Sequence, residues 1–324
     1  MFGFLKNYTS PFKLAKIGIM GMNVRNCRYI SPYNPRELYP LVDDKLQTKR
    51  IAMKYGVTVP VLIGCIRHQH EVGGFTSLIG DRTEFCIKPA QGSGGKGILV
   101  VAGRSGDHFL KPNRQEITVH DIERHISNIL AGLFSLGGKL DKVLIEELIH
   151  FDNVFDGYSF EGVPDSRVIV FRGFPVMSMM RLSTARSDGK ANLHQGAVGV
   201  GLCLNTGRAV RAVQFNTPVH VHPDTGSDLS KLQVPHWERV LTLASSCYEM
   251  SGLGYIGTDI VLDRDKGPML LELNARPGLA IQIANAAGLL PRLRQIEKLL
   301  KDDPRMTVEE RVAYSRKHFG VYQE

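Results

Sequence analysis

Lys88-Pro89-Ala90-Gln91-Gly92-Ser93-Gly94-Gly95-Lys96-Gly97 is preceded by Phe85-Cys86-Ile87 and followed at once by Ile98-Leu99-Val100-Val101. Two apolar runs of strand length therefore flank a loop with four glycines and a lysine at either end. Glycines allow tight bends in which backbone N–H groups point together at phosphate oxygens. The spacing of Gly92, Gly94 and Gly97 also satisfies G-x-G-x-x-G, but a dinucleotide site needs a helix next, and 98–102 is an apolar strand-like run. A P-loop fails as well, because Gly95-Lys96 runs into Gly97 where Ser or Thr would hold magnesium. The loop reads as a flap between two strands, able to lie over a triphosphate; a flexible hairpin turn is the plainer alternative.

A second segment lies far downstream. In Gly257-Thr258-Asp259-Ile260-Val261-Leu262 and Leu270-Leu271-Glu272-Leu273-Asn274, acids sit inside apolar strands, where burial is costly unless they bind a cation. The turn-like 263–268 between them predicts a hairpin. A hairpin symmetric about the Asp265–Lys266 bond puts Asp259 opposite Glu272, and Asn274, two residues on, shares the face of Glu272. Three oxygen donors then converge and suit magnesium carried in on nucleotide phosphates. Solvent-facing strand acids with Asn274 in a turn are the alternative.

The surrounding chain reads as mixed α and β. Helices are expected over 46–55, closed by Gly56, from the capping pair Thr118/Asp121 through Leu133, over 236–250, and from Pro291 and Thr307 onward. Strands are expected over 143–149, 167–171, 176–180 and 209–215. Without strict βαβ alternation, the class is α+β. The 324 residues are 43% hydrophobic and 22% charged, an ordinary globular composition. No apolar run approaches the ~20 residues of a membrane helix, and the first 30 residues are broken by Lys6, Lys13, Lys16, Arg25 and Arg28, so a cytoplasmic chain is expected. Five cysteines without a C-x-x-C pair suggest neither disulfides nor zinc. The net charge of +8 favours anionic partners, but scattered basic residues and a single Trp give no nucleic-acid platform. His220 and His222 share a strand face, yet two histidines without a third ligand read as structural.

Together, in this order and separation, the segments resemble the ATP-grasp superfamily, and more narrowly the RimK-type α-L-glutamate ligases. The likeness covers about 44–290, through Asp44-Lys45-Leu46, the glycine loop, Leu144-Ile145-Glu146-Glu147-Leu148, Asp165-Ser166-Arg167, Asn192-Leu193-His194-Gln195-Gly196, Asp259, and Glu272-Leu273-Asn274-Ala275-Arg276-Pro277-Gly278. It implies an ATP-grasp fold, with two α+β subdomains clasping ATP: a short segment 1–44, a first lobe 45–148, a second lobe 149–300 and a helical tail 301–324. Gly21-Met22-Asn23, Asn34-Pro35-Arg36 and 39–45 are similar to a subgroup of glutamate-ligase-like proteins. Full-length glutamate ligases carry a substantial domain before the core, whereas only some 44 residues precede Lys45 here.

The resemblance also implies roles. Lys45, Lys88, Lys96 and the loop residues Gly92, Ser93, Gly94, Gly95 and Gly97 meet the phosphates. Glu147 and Leu148 form the hinge over adenine, and Glu146, Asp165, Lys190, Asn192 and His194 line the nucleotide site. Asp259, Glu272 and Asn274 hold two magnesium ions, with manganese as a substitute. Arg167 and Arg181 face the reacting carboxylate and acyl phosphate. In Arg276 this chain places an arginine where that family usually has a small residue; it is a further catalytic candidate that reaches phosphate, the alternative being a salt bridge outside the site. The implied activity is ATP-dependent joining of a carboxylate to an amine, with glutamate or a similar amino acid added to an acidic acceptor. Rival readings are an ATP-binding regulatory module without turnover, a ligase of other specificity, a kinase that stops at the phosphorylated acid, and, on charge alone, an RNA-binding protein. Amino-acid, carboxylate or peptide substrates are the expected partners, and a homo-oligomer is compatible with the sequence.

Overall fold

The computed structural model describes residues 9–92, 94–302 and 304–320. Its strands are β1 (Leu62–Ile66), β2 (Phe85–Pro89), β3 (Leu99–Val101), β4 (Gly103–Ser105), β5 (His108–Leu110), β6 (Glu116–Ile117), β7 (Val143–Glu146), β8 (Asp165–Phe171), β9 (Phe174–Leu182), β10 (Val198–Leu202), β11 (Ala209–Gln214), β12 (Thr217–Val219), β13 (Tyr255–Asp263) and β14 (Gly267–Asn274). They form a four-stranded sheet in the order β1-β7-β2-β3, a small sheet β4-β5-β6, and a seven-stranded sheet β12-β11-β10-β9-β8-β13-β14. Each pairing within them is antiparallel. This is the mixed helix-and-sheet architecture that the sequence suggested.

The first sheet is covered by the helix Val119–Leu130. Thr118 and Asp121 cap its start reciprocally, and Ile122, Ile126 and Ile129 at helical spacing are buried against Phe85, Ile87, Val143 and Ile145. The larger sheet packs against the helix Trp237–Ser251 through Val240, Leu241, Ala244 and Cys247, and Gly252 ends that helix at φ 69°. Thr307 and Glu310 form the expected capping box of the final helix, Val308–Phe319.

The segment before Lys45 is built into the second core rather than hung from it. Met20, Tyr29, Ile30 and Val42 are buried there, and Tyr29 and Tyr33 meet Phe171 edge to face. Asn34 fastens it, donating to the carbonyls of Tyr255 (2.7 Å) and Ala275 (3.0 Å) and accepting from the Tyr255 amide (2.9 Å). That places an N-terminal residue directly behind both strands of the carboxylate hairpin.

Candidate active site

The hairpin β13–β14 pairs Asp259 with Glu272 and Gly257 with Asn274, while β8 lies on the other side of β13 and pairs Arg167 with Asp259. One cross-strand row therefore carries Arg167, Asp259 and Glu272. Arg167 forks onto Asp259, its Nε meeting Oδ1 and its Nη2 donating to Oδ2 at 2.7 Å. Arg181 on β9 pairs in register with Asp165 and donates to both its oxygens at 2.6 Å, while its Nη2 also lies 2.8 Å from Asp259 Oδ2. Two carboxylates thus share Arg181. Burial and the nearby Asp259 push Asp165 up to about 6 against the pull of Arg181, whereas Asp259, flanked by two guanidiniums that outweigh its burial, stays below the usual range.

The helix Lys45–Lys54 and strand β2 supply the cations. Lys45 opens the helix Lys45–Lys54, whose N-cap Asp44 accepts from Leu46 N (2.9 Å) and Gln47 N (3.3 Å) and pairs with Lys142 at 3.0 Å. From there Lys45 Nζ donates to Gly92 O at 2.7 Å and sits 3.6 Å from Glu272 Oε1. Glu146 on β7 is buried between two lysines, 2.7 Å from Lys88 and 3.0 Å from Lys49. Its charge raises Lys88 despite burial, while burial and the repulsion of Lys88 bring Lys49 down to about 8. Lys49 was not singled out in the sequence. Its signal was the i, i+4 spacing from Lys45, which puts both ammonium groups on one helix face.

The glycine loop reaches across the cleft: a Cβ built on Gly95 would touch Lys190 Cγ at 3.9 Å. Its base is held by Asp141, a buried residue also absent from the sequence reading, which accepts from Gln91 N (3.0 and 3.1 Å), Ser135 Oγ (2.6 Å) and Lys142 N (2.7 Å). At the far end, His125 Nε2 meets Gly97 O at 3.0 Å. Gly94 and Lys96 are exposed at the tip, and Ser93 lies outside the described residues.

Residues 24–298 match the family described as sugar-transfer associated ATP-grasp. The chain belongs to that family. Among solved structures it is similar to the ATP-grasp ligase PsnB complexed with a minimal precursor, at 14% identity over 84% of this chain and 63% of that one, with a TM-score of 0.43. D-alanyl-alanine synthetase A from Vibrio cholerae gives 12% identity over 87% and 66%, TM-score 0.46. A RimK domain ATP-grasp protein from Sphaerobacter thermophilus gives 13% over 81% and 70%, TM-score 0.43. The chain spans just under two thirds of the length of PsnB. No curated protein sequence matches it.

Within this sugar-transfer associated ATP-grasp chain, the other expected site residues separate. Glu147 donates its amide to Val61 O at 3.0 Å, and its carboxylate holds Lys266 at 2.7 Å. Leu148 follows it, half-buried. Lys190 pairs with Asp188 at 2.8 Å, and Asn192 caps the turn that carries His194, whose ring lines a separate hollow with Val213, Phe215 and Ile283. Arg276 is exposed, stacked over Tyr39 with its guanidinium 5.1 Å from the ring, and makes no ion pair among the described residues. His222 is buried, bonded through Nε2 to Ser183 O (3.0 Å), with Nδ1 3.4 Å from the amides of Asp224 and Thr225, a structural role. No helix among the described residues is long and apolar enough to cross a membrane.

Of the oxygen donors expected for magnesium, Asp259 and Glu272 are register partners, and Asn274 donates through Nδ2 to Asp259 Oδ2 at 3.4 Å, while Arg167 and Arg181 occupy both Asp259 oxygens.

Proposed function

We propose that the chain is an ATP- and magnesium-dependent carboxylate–amine ligase working through an acyl phosphate. The observation that carries this reading is the meeting of Lys45, at the start of the helix Lys45–Lys54, with Glu272 of the acid pair at 3.6 Å, directly beside the base of the glycine loop. Phosphate-binding cations and metal-binding acids then face one cleft. Lys45, Lys88 and the loop amides would hold the triphosphate, and Asp259, Glu272 and Asn274 the magnesium, which neutralises phosphate charge when bound. A substrate carboxylate oxygen attacks the γ-phosphorus as the bond to the β-phosphate oxygen breaks and ADP leaves. The amine nitrogen then attacks the acyl carbon, loses a proton and displaces phosphate. No protein nucleophile is needed.

For substrate we propose glutamate or a glutamate-ended peptide, on the resemblance to glutamate ligases. Arg167 and Arg181 are matched in number by Asp165 and Asp259, and Lys45 by Glu272, so the surplus attraction for an acid comes from Lys49 and Lys88, which share Glu146, and from the exposed Lys96. The family description offers a second reading, an acceptor amine carried on a sugar. The test is ADP release by the purified chain over amino acids, acidic peptides and amino sugars, each with and without a second substrate. ADP release that requires both a carboxylate and an amine is expected. Release with the carboxylate alone would mean a kinase, and ATP binding without release under any pairing would mean a regulatory module.

A further inference from the structure

β8 carries Asp165 and Arg167 at one end and reaches Phe171 at the other, about 20 Å away at ~3.3 Å per residue. There the β8–β9 turn holds Arg172 in the left-handed region, φ 52°. Beside it lies a hollow of about 430 Å³, lined by Arg172, Phe174, Tyr248, Arg305, Met306 and Arg311 among others. Its volume falls within the range of small-molecule sites.

The charge around this hollow does not balance. Arg172 and Arg311 both lie against the ring of Tyr248, with guanidinium carbons 5.8 and 5.7 Å from its centroid. Each contact is favourable alone, yet two cations on one ring repel each other. Arg172 also lies over Tyr33, at 6.0 Å. Glu249 answers Arg311 through Nη2, but Arg311 is only 6% exposed and its Nε has no hydrogen-bond partner. Arg172 and Arg305 make no ion pair among the described residues, and Glu297, the acid nearest Tyr33, is bonded to that hydroxyl at 3.3 Å. Among the described residues, the three guanidiniums that line the hollow thus have one carboxylate partner, Glu249, a surplus of two positive charges against walls formed by Phe174, Leu300 and Met306.

We propose that this hollow binds a phosphate monoester. A dianion matches the surplus, arginine forks meet phosphate oxygens in pairs, and the apolar wall takes the esterified group. A monocarboxylate leaves one charge unanswered. The site stands apart from the proposed ligase centre and does not depend on it.

The test is calorimetric titration of the full chain with phenyl phosphate, inorganic phosphate and benzoate. Phenyl phosphate should bind at least roughly tenfold more tightly than either of the others, and an R172Q/R305Q variant should lose at least that factor. Arg305 is exposed, so R305Q alone is a folding-safe second variant and should weaken binding in the same direction. Titration with a non-hydrolysable ATP analogue should be unchanged in both variants. Equal binding of inorganic and phenyl phosphate overturns the monoester. Absence of phenyl phosphate binding at millimolar concentration, or binding that the variants leave untouched, overturns the site.

Discussion

At the scale of single residues, the two proposed metal acids are not equivalent. Asp259 is buried and answers two guanidiniums, whereas the Glu272 side chain is 35% exposed and its one ion pair among the described residues is the 3.6 Å contact with Lys45. Asp259→Asn therefore removes a metal ligand and also leaves Arg167 short of a counter-charge, so loss of turnover should come with a stability loss of up to about 3–5 kcal/mol. Glu272→Gln separates the two effects: magnesium-dependent ADP release should vanish while the thermal unfolding midpoint stays near that of the parent, and parental turnover would remove Glu272 from the metal site. Arg167→Lys loses the planar fork onto Asp259, costing about 1.5–3 kcal/mol as a charged hydrogen bond. It should raise the requirement for the carboxylate substrate while ATP binding persists. Lys49 sets a pH limit. Because burial and Lys88 bring it down to about 8, and a bound triphosphate favours its charged form, ATP affinity should be flat below that value and fall above it, by at most about tenfold per pH unit. Titrations across that range should show the fall in the parent and a flat profile in Lys49→Met.

Among the elements, the hairpin shows how far the sequence could be read. Counting outward from the Asp265–Lys266 bond gave the pair Asp259 and Glu272, and the structure has that pair. The turn, however, is centred on Asp265, with Asp263 opposite Gly267 and Ile260 opposite Leu270. A simple continuation would set Asp259 against Leu271. An irregularity between Asp259 and Ile260 inserts Leu271 as an extra residue on the partner strand and restores Glu272 to the row. Apolar alternation does not encode such a bulge. The helices were readable because Thr118, Gly252 and Thr307 act locally, while Asp141 was not, because its partners Gln91 and Ser135 come together only in the fold. That clamp modifies the expectation for the glycine loop. Its tip should exchange amide hydrogens readily and gain protection with a non-hydrolysable ATP analogue, but Gln91, whose amide is held by Asp141, should be protected throughout. In Asp141→Asn the Gln91 amide should exchange faster and the ATP requirement rise, and unchanged exchange there would leave the clamp without effect on the loop.

For the whole molecule, the decisive feature is how little space lies between the lysines and β14. Between Lys45, Lys49 and Lys88 on one side and Leu270 to Leu273 on the other, the cavity amounts to about 10 Å³, roughly one water against the ~300–1,000 Å³ of ordinary ligand sites. A backbone bond also ties the segment 57–61 to β14, Leu270 N to Thr58 O at 2.8 Å. A nucleotide whose adenine lies under the Glu147–Leu148 hinge cannot enter this arrangement without parting the walls. On that placement the segment 57–61 is predicted to move relative to β14, with the Thr58–Leu270 bond as the tie that gives way. Opposite responses to one ligand follow: on adding the ATP analogue with magnesium, the Leu270 amide should exchange faster while the glycine-loop amides exchange more slowly. Hydrogen exchange resolved to single residues measures both in one experiment. If Leu270 instead gains protection together with the loop, the adenine enters elsewhere and the cleft between these lysines and β14 is a packing contact rather than the nucleotide's seat.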